Sequence, residues 1–138
     1  MKLKKASASI VRTAGRASMA YMFIRASSDV FRDPARATGT ASSFLDRVRE
    51  RSPVPIPADR DLVRFNAATQ VVTGAMIAVN AATSWAAAGL AGSMVLTTLA
   101  GHPYWEFDDP QVRRTQQLQF NKNLAMIGGL LLLVAEFG

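Results

Sequence analysis

The residues best suited to chemistry lie in one short stretch, 101–109, with the sequence GHPYWEFDD. His102 is the only histidine and the chain has no cysteine, which excludes disulfides, thiol redox chemistry and thiolate metal sites. A lone histidine binds a metal only if carboxylates complete the ligand set, and here Glu106 and its neighbouring aspartates would have to do so. Because such a site would be weak, we expect no metal.

Two other interpretations of this stretch remain open. Histidine, tyrosine and tryptophan rings are typical of the membrane–water interface, where they anchor a helix end. Alternatively, the stretch forms part of a quinone or lipid-headgroup site, because quinone carbonyls need hydrogen-bond donors beside an apolar pocket. The residues of that candidate site are His102, Trp105, Glu106, Arg113 and Asn123. We favour the anchor, and assign no catalytic residue and no required cofactor.

The stretch 101–109 begins at the end of a long uncharged segment. Residues 65–105 contain no Asp, Glu, Lys or Arg. A membrane span needs about 20 mostly apolar residues. The segment is therefore long enough for two spans, and residues 80–84 (NAATS) are suited to the turn between them. Soluble domains rarely leave so long a stretch uncharged. The sequence thus predicts an all-α integral membrane protein.

We predict one domain, residues 1–138, built as a four-transmembrane-helix bundle. Gly, Ala, Ser and Thr are frequent in the second and third spans, which favours close packing with each other or with partner proteins. Asp109 followed by Pro110 is typical of a helix start and should begin the last helix. The predicted spans are residues 10–31, 62–80, 84–101 and 118–137.

The polar connection 32–61 joins the first two spans. Its prolines argue against a continuous helix over the Pro-rich part, and residues 44–48 are expected to form a short amphipathic turn on the membrane. In the first span, Arg25 and Asp29 lie four residues apart and share a helix face. We expect them to pair near an interface; a functional charge within the membrane is the alternative.

The net charge of +6 does not indicate a nucleic-acid partner. The basic residues flank apolar segments and are not interleaved with aromatic residues, whereas a nucleic-acid surface needs a basic patch. Basic flanks are typical of the cytoplasmic side of a membrane. The basic residues among positions 2–16 favour a cytoplasmic N-terminus, although the arginines of 32–61 weaken that orientation.

Several motifs resemble the DoxX family of bacterial membrane proteins. A looser similarity extends upstream through residues 63–67 and Gly74, whereas the family usually has a small or apolar residue where this chain has Arg25. The motifs that carry the resemblance are residues 97–106 (TTLAGHPYWE), Asp109-Pro110, Arg113, Gln116-Gln117, Phe120, residues 122–124 and residues 128–131.

The resemblance implies a small four-helix protein of the bacterial inner membrane. Founding members are linked to a terminal quinol oxidase and to thiosulfate oxidation with quinone as acceptor, and most members have no demonstrated activity of their own. We therefore expect a non-catalytic accessory subunit of a membrane redox or respiratory complex, in contact with lipid and other membrane subunits. A quinone-interacting oxidoreductase subunit is one alternative, and a soluble helical protein with a very apolar core is another.

Overall fold

A computed structural model describes residues 2–138, with side chains from Ala6 onward. Over residues 2–138 the chain forms five α-helices and one 3₁₀ turn and has no strand, which confirms the all-α prediction. The elements are α1 (Lys2–Arg32), α2 (Ala35–Arg51), α3 (Asp59–Ala78), α4 (Thr83–Gly101), the 3₁₀ turn (Tyr104–Glu106) and α5 (Pro110–Phe137). Of the basic residues on which the orientation depends, the three lysines fall before Ala6 and outside the described side chains, and the orientation stays a prediction.

Helices α1, α3, α4 and α5 form an antiparallel bundle in which α1 packs on α3, α3 on α4 and α4 on α5. Helix α2 packs across α3 and α4 at one end, which we call the α2 end. The 3₁₀ turn lies at this end too, between the last residue of α4 and the first of α5. At the opposite end, α1 and α5 are joined by an ion pair of 2.6 Å between Arg12 Nε and Glu136 Oε1.

The bundle core consists mainly of small or flexible side chains, which allows the helices to approach closely. A Cβ atom added to Gly74 of α3 would lie 3.4 Å from Ile24 Cγ1 and 3.5 Å from Phe23 Cβ, both on α1. Gly129 of α5 likewise faces the Met19 side chain, whereas Gly128 faces open space. The buried cluster comprises Phe23, Ile77, Ala86, Ala87, Leu90, Ala91, Met94 and Leu130.

The turn between α3 and α4 overlaps the predicted segment 80–84 but ends earlier, because Thr83 and Ser84 already belong to α4. Helix α3 ends at Ala78 and α4 begins at Thr83. Asn80 has a φ of 59°, a left-handed conformation that asparagine tolerates better than most residues. Its Oδ1 accepts a 3.0 Å hydrogen bond from Thr83 Oγ1, which stabilises the turn.

The connection between the first and third helices is more helical than we expected, because α2 has 17 residues instead of a short turn at 44–48. Apolar residues at positions 41, 44, 45 and 48 follow helical spacing, a signal masked by the prolines beyond it. The Pro-rich segment 52–58 is indeed not helical. The Arg49 guanidinium bonds to Asp59 and links α2 to α3, and this hydrogen bond raises the pKa of Arg49.

Large apolar side chains remain exposed on the outer sides of all four bundle helices. Within residues 2–138, one helix, α5, is long and apolar enough to cross a membrane by length and composition, and 11% of its apolar window is buried. Most of the apolar side chains of this window therefore lie at the surface of the bundle. Exposed examples on α3, α4 and α5 are Phe65, Val72, Val79, Trp85, Leu96, Leu124, Leu131 and Leu132.

Candidate functional site

Three aromatic rings form a cluster at the α2 end, where the 3₁₀ turn folds over the junction of α4 and α5. The Tyr104 ring centroid lies 5.1 Å from that of Trp105 and 5.4 Å from that of Phe120. Trp105 and Phe120 are 5.9 Å apart, and all three contacts are T-shaped. Edge-to-face contacts of this kind are favourable, so the turn is held against α5. Trp105 keeps 49% of its surface exposed.

His102 is half-buried beside this cluster and is already hydrogen-bonded. Its Nδ1 lies 2.7 Å from Oε1 of Gln116 on α5. Because a carbonyl oxygen only accepts, Nδ1 carries the proton and donates to Gln116. In the neutral ring Nε2 is then an acceptor, and it offers no proton to a ligand carbonyl. A quinone carbonyl would therefore need His102 in its protonated form.

The polar groups of Glu106 and Arg113 also have partners within the protein. Glu106 Oε1 forms a 2.8 Å ion pair with Nη2 of Arg47, which joins the 3₁₀ turn to α2. Arg113 Nε donates a 2.8 Å hydrogen bond to the backbone carbonyl of Phe107. Asp109 caps α5 as predicted, since its Oδ1 accepts from the backbone N–H groups of Gln111 and Val112. These contacts fasten the loop to the bundle.

Asn123 lies apart from the other predicted site residues. It is seven residues beyond Gln116, so it lies about 10.5 Å further along α5. Its surface is 8% exposed, and it has no hydrogen-bond partner among the described residues. The structure thus brings His102, Trp105 and Glu106 together with Arg113 at the α2 end and places Asn123 deeper in the bundle.

A buried polar network joining three helices was missed by the sequence analysis. Ser27 Oγ of α1 donates to Oε1 of Gln70 at 2.6 Å, and Gln70 Nε2 donates to Oγ1 of Thr97 at 2.9 Å. Asn66 Nδ2 donates to the same Thr97 oxygen at 2.9 Å, while Ser93 Oγ donates to Asn66 Oδ1 at 2.8 Å. The sequence did carry a signal, because Asn66 and Gln70 are four residues apart within the charge-free segment, as are Ser93 and Thr97.

The comparisons with known proteins identify the family. The profile of the DoxX family matches residues 11–103, which is most of the chain. This chain belongs to the DoxX family. Comparison with curated proteins and with solved structures gives no match. DoxX is a family of membrane proteins, so the DoxX chain is a membrane protein, as predicted.

The matched range divides the candidate residues of the DoxX chain into two groups. It contains the whole polar network and His102, and it ends at Pro103. Trp105, Glu106, Arg113 and Asn123 lie beyond it, and the assignment of all five candidate residues to a ligand site stays a prediction. Among the described residues, no group of three His, Asp or Glu side chains is arranged to hold a metal ion.

Proposed function

We propose that the DoxX chain is a multi-pass protein of the bacterial inner membrane and a non-catalytic accessory subunit of a larger redox or respiratory assembly. The observation that carries this proposal is the bonding of the candidate site. His102, Glu106 and Arg113 each bond to another part of the same chain. Their arrangement fits a loop fastened to the bundle better than a site prepared for a substrate.

Four spans are proposed for α1, α3, α4 and α5. Helix α3 has 20 residues and α4 has 19. At 1.5 Å per residue each is about 30 Å long, close to the thickness of the hydrocarbon layer. The charge-free segment 65–105 and the exposed apolar residues of α3 and α4 support their contact with lipid. Helix α1 carries the most charge of the four and is the least typical span.

The accessory role predicts a stable association with other subunits. The chain should stay in the membrane pellet after a sodium carbonate wash, because its apolar sides prefer lipid. When purified in mild detergent at its native expression level, it should give an intact-complex mass that includes other polypeptides. Release by carbonate would contradict the membrane spans and support the soluble alternative. A monodisperse species containing this chain alone would contradict the accessory role.

A quinone site near His102 is the second candidate, and Asn123 is the observation that favours it. The Asn123 amide has no protein partner among the described residues and lies one helical turn from Phe120 and the aromatic cluster, so it has a free donor and a free acceptor. Such a group suits the edge of an apolar pocket that holds a carbonyl compound.

Replacement of His102 by alanine separates the two candidates. A quinone site in which the protonated His102 donates from Nε2 predicts a two- to tenfold rise in the KM for quinone of the intact assembly, because one hydrogen bond contributes about 0.5–1.5 kcal/mol. The accessory role predicts turnover and KM within about twofold of the unaltered assembly. Gln117→Ala is the matched control, since Gln117 is an exposed neighbour of Gln116 on the same helix.

A further inference from the structure

A charged groove lies on the outer side of α1, toward the α2 end. We call it the α1 groove, and the helices packed beside α1 contribute none of its lining. The Arg25 side chain is 63% exposed and that of Asp29 is 36% exposed, although the two are paired as predicted. This side of α1 therefore faces whatever surrounds the bundle. The groove is lined by Tyr21, Ile24, Arg25, Ser28, Asp29 and Arg32.

The Arg25–Asp29 pair lies at the depth of the charge-free part of α3. Ser27 bonds to Gln70 at 2.6 Å, and Ile24 Cγ1 would lie 3.4 Å from a Cβ at Gly74. Arg25 follows Ile24 and precedes Ser27 on α1, so it lies between the levels of Gly74 and Gln70 on α3. In the four-span arrangement proposed above, on which this inference rests, lipid alone would surround the pair at hydrocarbon depth. Charged side chains are costly there and are generally covered by protein partners.

The internal pair leaves most of the polar atoms of the groove unused. Arg25 has five N–H donors, and among the described residues its side chain bonds to Asp29 alone. The Asp29 carboxylate also has lone pairs to spare. Lipid chains can satisfy neither group. The occupant of the groove must therefore offer both an acceptor for Arg25 and a donor for Asp29.

One face of α1, exposed except at the half-buried Ser28, has the spacing of a helix–helix seam. Positions 14, 18, 21, 25, 28 and 32 alternate steps of four and three residues, the pattern by which one helix faces a second across a small crossing angle. Ala14 and Ser18 are small and exposed, so a second helix can approach closely at that level. The seam and the charged pair lie on the same side of α1.

We propose that a second copy of this chain covers the α1 groove, forming a two-fold dimer through α1. With a two-fold axis parallel to the α1 helices, the α1 groove of one copy packs against the same groove of the other copy. Arg25 of each copy then bonds to Asp29 of the other copy as well as to its own, and the four central charges sum to zero. Because the groove itself carries both signs one helical turn apart, charge complementarity favours a second copy over lipid or an uncharged helix. Arg32, at the last residue of α1, reaches the membrane surface.

Disulfide cross-linking in native membranes tests this dimer, since the chain has no native cysteine. With a mild oxidant, Ser28→Cys in the full chain should give mostly a product of twice the chain mass. Ala88→Cys is the matched control: Ala88 is exposed on α4, at a similar depth, because its neighbour Gly89 lies against Thr73. Less than a tenth of that variant should cross-link.

Charge variants in the Ser28→Cys background test the pairing itself. Arg25→Glu and Asp29→Lys should each reduce cross-linking at least fivefold when expressed alone. Co-expressed with different tags, they should restore it as a mixed dimer, because the opposite charges then lie on different chains. The apolar double variant Arg25→Leu with Asp29→Leu inserts into the membrane more readily than either charge variant. It should nevertheless also lose cross-linking at least fivefold, because it lacks the charged pair.

Several outcomes would overturn the dimer. These are equal cross-linking at positions 28 and 88, a cross-linked product with a mass other than two chains, no mixed dimer on co-expression, or unchanged cross-linking of the apolar variant. Carbonate retention is measured on the same membranes, so loss of the spans and loss of the dimer are separate results. A protein that stays in the membrane yet fails to cross-link contradicts the dimer alone.

Discussion

Replacing Gln70 by leucine is expected to lower the free energy of unfolding of the bundle by about 1–3 kcal/mol. Gln70 is 7% exposed and joins Ser27 of α1 to Thr97 of α4. Leucine has a similar size but no polar atoms, so both hydrogen bonds are lost and the Ser27 hydroxyl stays buried. The change in the free energy of unfolding is measured in mild detergent, by monitoring circular dichroism as the denaturant concentration is increased.

The same substitution at Gln117, which is exposed on α5, is the matched control and should change stability by less than about 0.5 kcal/mol. The double variant Ser27→Ala with Gln70→Leu sharpens the test. Because it removes both partners of one bond, its loss should be smaller than the sum of the two single losses. Strictly additive losses would show that the two side chains are not coupled.

Replacing Gly74 by leucine should destabilise the contact between α1 and α3 by about 1–3 kcal/mol. A Cβ at this position fits in ordinary contact with Ile24 and Phe23, at 3.4 and 3.5 Å, but the atoms beyond it would have to displace α1. Gly74→Ala should therefore be neutral or slightly stabilising, since alanine favours a helix by up to about 1 kcal/mol over glycine. Only the leucine variant is expected to lose stability, and thermal unfolding in detergent distinguishes the two.

Gly92→Leu is the control for this pair, because nothing lies within 4 Å of its added Cβ on α4. It should behave like an exposed substitution. If Gly74→Leu is no more harmful than Gly92→Leu, then α1 and α3 do not approach closely at Gly74. In that event α1 packs on the bundle differently, and the α1 groove does not face outward.

Much of the helical framework follows from local features of the sequence. Asp109 followed by Pro110 marked the start of α5, and the polar segment around Asn80 marked the turn before α4. The pairing of Arg25 with Asp29 also followed, because residues four apart share a helix face. Helix α2 was missed, since its apolar spacing was outweighed by the prolines that follow it.

The candidate site was predicted less completely. The sequence placed His102 and Trp105 at the end of α4, but it could not show that Gln116 accepts a hydrogen bond from His102 or that Arg47 pairs with Glu106. Both partners lie on other helices, so their positions depend on how those helices pack. The sequence motif also suggested that Asn123 accompanies His102, whereas helical rise places it about two turns deeper.

The sequence by itself determined the class of this protein, because composition, the charge-free segment 65–105 and the family motifs are local properties of the chain. Only the tertiary structure decided which polar residues meet. Ser27, Gln70 and Thr97 come from three helices, and their hydrogen bonds exist only once α1, α3 and α4 have packed in register. The same packing leaves the Arg25–Asp29 pair on the outside of the bundle, a position that helical periodicity alone does not specify.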